Sequence, residues 1–148
     1  MKKLLCFIFL AVLVTICFAE EQKITDTNSI FQEQQKQLND MLIEYKREEG
    51  NLYNKMGEIL KKLQSARDFT FGRSPYQQQK ILERSADEQA AIKNRQEDIK
   101  MKTKELELKK NDLKLKVLEQ NGGIPSWWDD NEKDFKERIR SVIKTTLK

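Results

Sequence analysis

The stretch from residue 75 to residue 120 reads PYQQQKILERSADEQAAIKNRQEDIKMKTKELELKKNDLKLKVLEQ, and its apolar residues recur with a heptad spacing. Spacing of this kind keeps one stripe of a helix facing a partner helix and is typical of coiled coils. The stretch therefore predicts one long helix of roughly 70 Å. The apolar members of its two series are Leu82, Ile92, Ile99, Leu106, Leu113 and Val117.

The same spacing occurs upstream, where Ser29 and Gln32 match the capping-box pattern and predict the start of another helix. The pattern stops at about residues 67–74, and Ser74 followed by Pro75 is a typical helix start. These features predict an antiparallel hairpin, with residue numbers at one level summing to about 148. The alternative, a register one heptad shorter, fits the turn better but pairs fewer apolar residues. The apolar residues of the upstream seam are Phe31, Leu38, Leu42, Tyr45, Leu52, Met56, Ile59 and Leu63.

A third, shorter helix is predicted after Asn121, Gly122 and Gly123, which end the long helix in the usual glycine-rich manner. We expect it to fold back onto a second apolar face of the long helix, with Trp127 and Trp128 as anchors. That second face comprises Met101, Leu108, Leu115 and Leu118.

The predicted fold class is thus all-α, a long antiparallel helical hairpin of the coiled-coil type with a shorter third C-terminal helix and no β-sheet. Residues 20–28 precede the periodic pattern and predict a flexible lead-in to the hairpin of residues 29–120. Residues 121–148 form a Gly/Pro linker and a C-terminal amphipathic helix.

The first residues resemble a signal peptide, because Lys2 and Lys3 precede an uncharged stretch that runs from residue 4 to residue 18. This stretch is shorter than the roughly 20 residues needed to cross a bilayer. Cleavage after Ala19 is predicted, which leaves no integral membrane segment. We therefore expect an exported protein, either periplasmic or secreted.

The composition disfavours catalysis and nucleic-acid binding. Cys6 and Cys17 lie within the predicted leader and the chain has no histidine, so the mature protein lacks the commonest general base, metal ligand and thiol nucleophile. Removing Lys2 and Lys3 leaves 26 basic and 24 acidic residues, a formal charge of +2. We expect no enzyme activity, no cofactor, no metal and no nucleic-acid partner.

Five residues are candidates for protein binding, because exposed aromatic and arginine side chains often dominate interfaces. The alternative is internal packing, in which the aromatic residues near the turn close the hairpin and the tryptophan joins the core. The candidates are Phe69, Phe71, Arg73, Tyr76 and Trp127.

The seam also predicts a partner, because polar residues such as Gln35, Glu49 and Gln96 interrupt it. Gly50 and Gly57 each lower helix stability by about 1 kcal/mol relative to alanine. An isolated hairpin of this kind buries too little apolar surface to offset the ordering of its chain. We therefore expect a homo-oligomer or a protein partner.

Two long charged helices behind a leader, together with the run Ser29, Ile30, Phe31, Gln32, resemble in plan the periplasmic Skp/OmpH chaperones. The resemblance implies a holdase whose helical arms enclose unfolded clients. No valine-rich strand for a trimerisation body flanks the helices here. The leading hypothesis is a non-enzymatic, oligomerising scaffold or interaction module; the holdase is the alternative.

Overall fold

The computed structural model contains three helices, α1 (Lys2–Asp68), α2 (Pro75–Asn121) and α3 (Ser126–Thr146). It describes the backbone of residues 2–68 and 74–146, and the side chains of residues 26–65 and 74–146. Within these ranges there is no strand. The predicted all-α hairpin with a shorter third helix is confirmed.

The ends of α2 follow the predicted local signals. Ser74 has an extended backbone, its hydroxyl accepts a hydrogen bond from Gln77 N, and Pro75 occupies the first turn. At the other end Gly122 adopts a left-handed conformation with φ 63°, which a residue without a Cβ adopts easily. Both ends are therefore fixed by the residue types next to them.

The start of α1 differs from the expectation. The helix is continuous through residues 20–28, for which the sequence predicts a flexible lead-in. Ser29 does not cap a helix start; its hydroxyl donates to the carbonyl of Asp26 one turn earlier. A serine inside a helix commonly forms such a bond, so the capping pattern does not by itself define a helix end.

Two contacts show how α1 and α2 align. The amide of Asn121 donates to Asn28 Oδ1 at 3.0 Å, and the guanidinium of Arg95 contacts both carboxylate oxygens of Glu48 at 2.7 and 3.2 Å. The residue numbers of these pairs sum to 149 and 143. The two helices therefore run antiparallel. The contact at Asn28 matches the expected sum of about 148, and the contact at Glu48 lies closer to the register one heptad shorter.

Most of the seam residues face the interior. Leu42, Ile59, Ile99, Leu106, Leu113 and Val117 are buried. Phe31, Leu38, Tyr45, Leu52, Met56, Leu63 and Ile92 are half-buried. Leu82 differs, being 47% exposed, while the adjacent Ile81 is half-buried. Seven residues of a straight helix fall roughly 20° short of two full turns, so the inward-facing position drifts along the helix and is shifted by one residue near the turn.

Helix α3 packs along α1 in the same direction, not on the second apolar face of α2. Arg138 pairs with Asp40 at 2.6 Å, and the amide of Asn54 donates to the carbonyl of Thr146. The expectation that α3 covers Met101 and Leu108 is wrong, because these side chains are 73% and 62% exposed. They lie on the opposite side of α2 from Leu106, beyond the reach of the short segment at 122–125.

Two glycines in α1 have different roles. A Cβ at Gly50 would lie 2.8 Å from Thr146 Cβ, so the missing side chain permits close approach of α3. A Cβ at Gly57 would meet nothing within 4 Å. The C-terminal end of α3 therefore depends on Gly50 but not on Gly57.

Exchanging each glycine for alanine tests this difference. Gly57→Ala is expected to raise the free energy of unfolding by about 1 kcal/mol, because alanine favours the helix. Gly50→Ala is expected to lower it, because the contact with Thr146 outweighs that gain. Urea denaturation followed by circular dichroism measures both, and equal stabilisation by the two variants would contradict the proposed close contact.

Candidate protein-interaction surfaces

The predicted turn site is only partly described. Phe69, Phe71 and Arg73 lie outside the described residues. Tyr76, in the first turn of α2, is 73% exposed. Of the candidates near the turn, this is the one that the structure places on the surface.

The two adjacent tryptophans have different environments. Trp128 is 1% exposed and packs in a cluster with Leu113 and Val117, joined by the half-buried Phe31. Trp127 is half-buried against the same cluster, and the two indole rings are 5.8 Å apart at an angle of 56°. Trp128 is therefore a core residue that holds α3 on the hairpin, and Trp127 offers only part of its ring to a partner.

A polar network joins all three helices beside this cluster. The buried amide of Gln35 donates to Glu132 Oε1 at 3.3 Å and lies 3.5 Å from the carbonyl of Trp128. Lys110 Nζ lies 2.5 Å from the same Glu132 oxygen and 4.3 Å from the centre of the Phe135 ring. The polar residues Gln35 and Lys110, which interrupt the apolar seam, thus bind α3. The sequence did not predict this role for them.

The lysines at positions 102, 109 and 116 lie on a solvated part of α2. Lys109 pairs with Glu105 at 2.7 Å and Lys102 with Asp98 at 3.3 Å. The hydrogen bond from Lys109, together with its positive charge, lowers the pKa of Glu105. In the same way Glu48 raises the pKa of Arg95 by a hydrogen bond and its negative charge.

The main uncovered apolar feature is a stripe along α2 that faces away from the core. We call it the outer stripe. Exposed fractions within it are 73% for Met101, 62% for Leu108, 56% for Leu115 and 41% for Leu118. Its first three members are spaced by seven residues, so they lie on one side of the helix. An aligned row of large exposed apolar side chains favours an interaction site more than apolar residues scattered singly over the surface do.

A smaller apolar surface lies on α1 near the level at which α3 ends. Tyr53 and Leu60 are 56% and 54% exposed there, on either side of Asn54, which contacts Thr146 at the end of α3. The hairpin therefore extends as a two-helix arm from a three-helix base. We call the exposed Tyr53 and Leu60 the arm surface.

The described residues contain no group of three or more side chains that could hold a metal ion. Over the same residues, none of the helices is long and apolar enough to span a membrane. Comparison with family models, with curated proteins and with solved structures gave no match to this chain.

Proposed function

We propose that this protein is an exported, non-enzymatic scaffold or interaction module that binds protein through the outer stripe of α2. The observation that carries the proposal is the exposure of Met101, Leu108 and Leu115 along one side of a helix whose other side is buried. Such a heptad row of large apolar side chains favours another helix as the partner. Residues of α3 contact the opposite side of α2, and the stripe is already helical before binding.

The architecture also supports this role. Trp128 and the network around Glu132, in the first turns of α3, fix this helix against the hairpin near the end of α2. A preorganised helix loses less conformational entropy on binding than a free one does. The base therefore acts as the support that lets a single long helix present a binding surface.

The export part of the proposal rests on the first 19 residues. When the chain is produced with its own leader in an exporting host, the purified protein is expected to begin at Glu20. Intact-mass spectrometry measures the start directly. A product that retains Lys2 and Lys3 would argue against signal-peptide cleavage.

Affinity capture after crosslinking in the native compartment tests the binding role. A variant of the outer stripe, Met101→Ser with Leu108→Ser and Leu115→Ser, is expected to lose specific protein contacts while retaining its helical circular dichroism. Tyr53→Ser with Leu60→Ser serves as the control because it removes exposed apolar groups elsewhere. Equal capture by both variants and the original protein would exclude the outer stripe as the binding surface.

The arm surface favours a second candidate function, a holdase chaperone. Tyr53, Leu60 and Leu82 expose apolar groups along the two-helix part of the hairpin, where an unfolded client could bind. In that case the protein would suppress aggregation of unrelated unfolded proteins, and the Tyr53→Ser, Leu60→Ser variant would lose this activity. A scaffold would instead retain one or a few folded partners.

A further inference from the structure

The outer stripe is the apolar part of a second heptad seam, on the side of α2 opposite to α1. Met101, Leu108 and Leu115 occupy one core position of this seam, and Leu118 follows in the other. Lys104 and Asn111 fill earlier turns of that second position and are exposed. The seam is therefore apolar along one row and mostly polar along the other.

The residues on the two edges of this seam carry opposite charges. One edge, the acidic flank, consists of Asp98, Glu105, Asp112 and Glu119. The other edge, the basic flank, consists of Lys93, Lys100 and Lys114, with Glu107 as the one acidic member. Asp98 is 43% exposed and the other flank residues are exposed, so both flanks are available to a partner.

This segregation fits a second copy of the same helix in one orientation. In a parallel pair the basic flank of each helix faces the acidic flank of the other, five residues further along. In an antiparallel pair each flank faces its own copy, so acidic residues meet acidic residues and lysines meet lysines. Like charges held close together oppose association.

The parallel arrangement makes three of four flank layers attractive. Lys93 faces Asp98, Lys100 faces Glu105, and Lys114 faces Glu119 of the second copy. The remaining layer places Glu107 opposite Asp112 and is repulsive. The acidic and basic flanks of two copies are therefore complementary in a parallel pair and not in an antiparallel pair.

We propose that two copies of this chain associate side by side, parallel and in register, through the outer stripes of their α2 helices. This deepens the proposed function, on which it rests, by naming the partner as a second copy. Lys102 pairs with Asp98 and Lys109 with Glu105, and Asp98 also pairs with Arg95. All of these pairs are exposed and contribute little, so the carboxylates can exchange them for the partner's lysines. Lys104 and Asn111 weaken the seam but help to fix its register.

Single cysteines test the orientation. Met101→Cys, Leu108→Cys and Leu115→Cys are made separately in the full chain, with Cys6→Ser and Cys17→Ser so that each protein has one thiol. In a parallel, in-register pair each cysteine meets its own copy at a distance that a disulfide can bridge, so all three variants are expected to form disulfide dimers on mild oxidation. An antiparallel pair would allow this for one position at most, which would overturn the proposal.

A single charge reversal tests the same geometry without a covalent bond. Glu107→Lys turns the one repulsive layer into an attractive one, at two symmetry-related places, and is expected to tighten the dimer by about tenfold at low salt. Glu137→Lys, on an exposed position of α3, changes the net charge equally and is expected to leave the dimer unchanged. Sedimentation equilibrium measures both, and the gain should vanish at about 1 M salt.

The outcomes separate this proposal from the proposed function. A protein that stays monomeric at all concentrations, but whose serine variant of the outer stripe loses another protein, would overturn the dimer and leave the interaction module in place. A dimer that Glu107→Lys weakens would overturn the parallel orientation alone. A monomer whose outer stripe affects no capture would overturn both.

Discussion

Replacing Trp128 by alanine is expected to lower the free energy of unfolding by about 3–5 kcal/mol, the largest effect of any single truncation in this chain. The indole ring is 1% exposed and fills the space between Leu113 and Val117 of α2 and Phe31 of α1. Its removal leaves a cavity where α3 packs into the cluster that joins both long helices. Folded domains are stable by about 5–15 kcal/mol, so much of the total would be lost.

Trp127→Ala is the matched control, because the same side chain is removed one residue earlier. Trp127 is half-buried and its ring lies at the edge of the cluster, so a smaller loss of about 1–2 kcal/mol is expected. Chemical denaturation gives both values, and limited proteolysis reports whether α3 has detached. Similar losses in the two variants would show that Trp128 is not the anchor of α3.

The long helices and their antiparallel pairing could be predicted from the sequence because heptad spacing is a local property. Ser74 with Pro75 and Gly122 likewise define the ends of α2 through backbone preferences that need no tertiary context. The start of α1 was not predicted. Ser29 is compatible with both a cap and an internal bond to Asp26, and the sequence does not distinguish these states.

The position of α3 could not be predicted in the same way. Its apolar face could pack on either of two surfaces, and periodicity does not choose between them. The sequence features that indicate where α3 packs are Gly50, Gln35 and Lys110. A glycine inside a helix can mark a close approach, and polar residues in a seam can be the partners of a third helix. The exposure of the outer stripe was not predicted for the same reason, because α3 was expected to cover it.

Replacing Lys110 by methionine is expected to lower the free energy of unfolding by about 1–3 kcal/mol, although methionine retains most of the apolar stem. Lys110 is 12% exposed and Glu132 24%, so the Glu132 carboxylate would remain partly buried without its cation. The amide of Gln35 would then be its one remaining partner in this network. The contact between the ammonium group and the Phe135 ring would be lost as well.

Lys109→Met is the matched control for this change, since it removes a lysine from the adjacent position. Lys109 and Glu105 are 57% and 62% exposed, so their pair is hydrated and its loss is expected to leave the free energy of unfolding nearly unchanged. The short distance of 2.7 Å does not alter this expectation, because water and salt screen the attraction. Comparing these neighbouring lysines shows whether the burial of an ion pair or the short distance between its charged atoms determines the loss of stability.

Adding Glu132→Gln to Lys110→Met completes the test of the network. Glutamine can still accept from Gln35 but carries no charge, so the double variant is expected to recover much of the stability lost by Lys110→Met. A double-mutant cycle on urea denaturation gives the coupling between the two residues. Strictly additive losses would mean that Lys110 stabilises the base through its packing on Phe135, and not by neutralising the carboxylate that links α2 to α3.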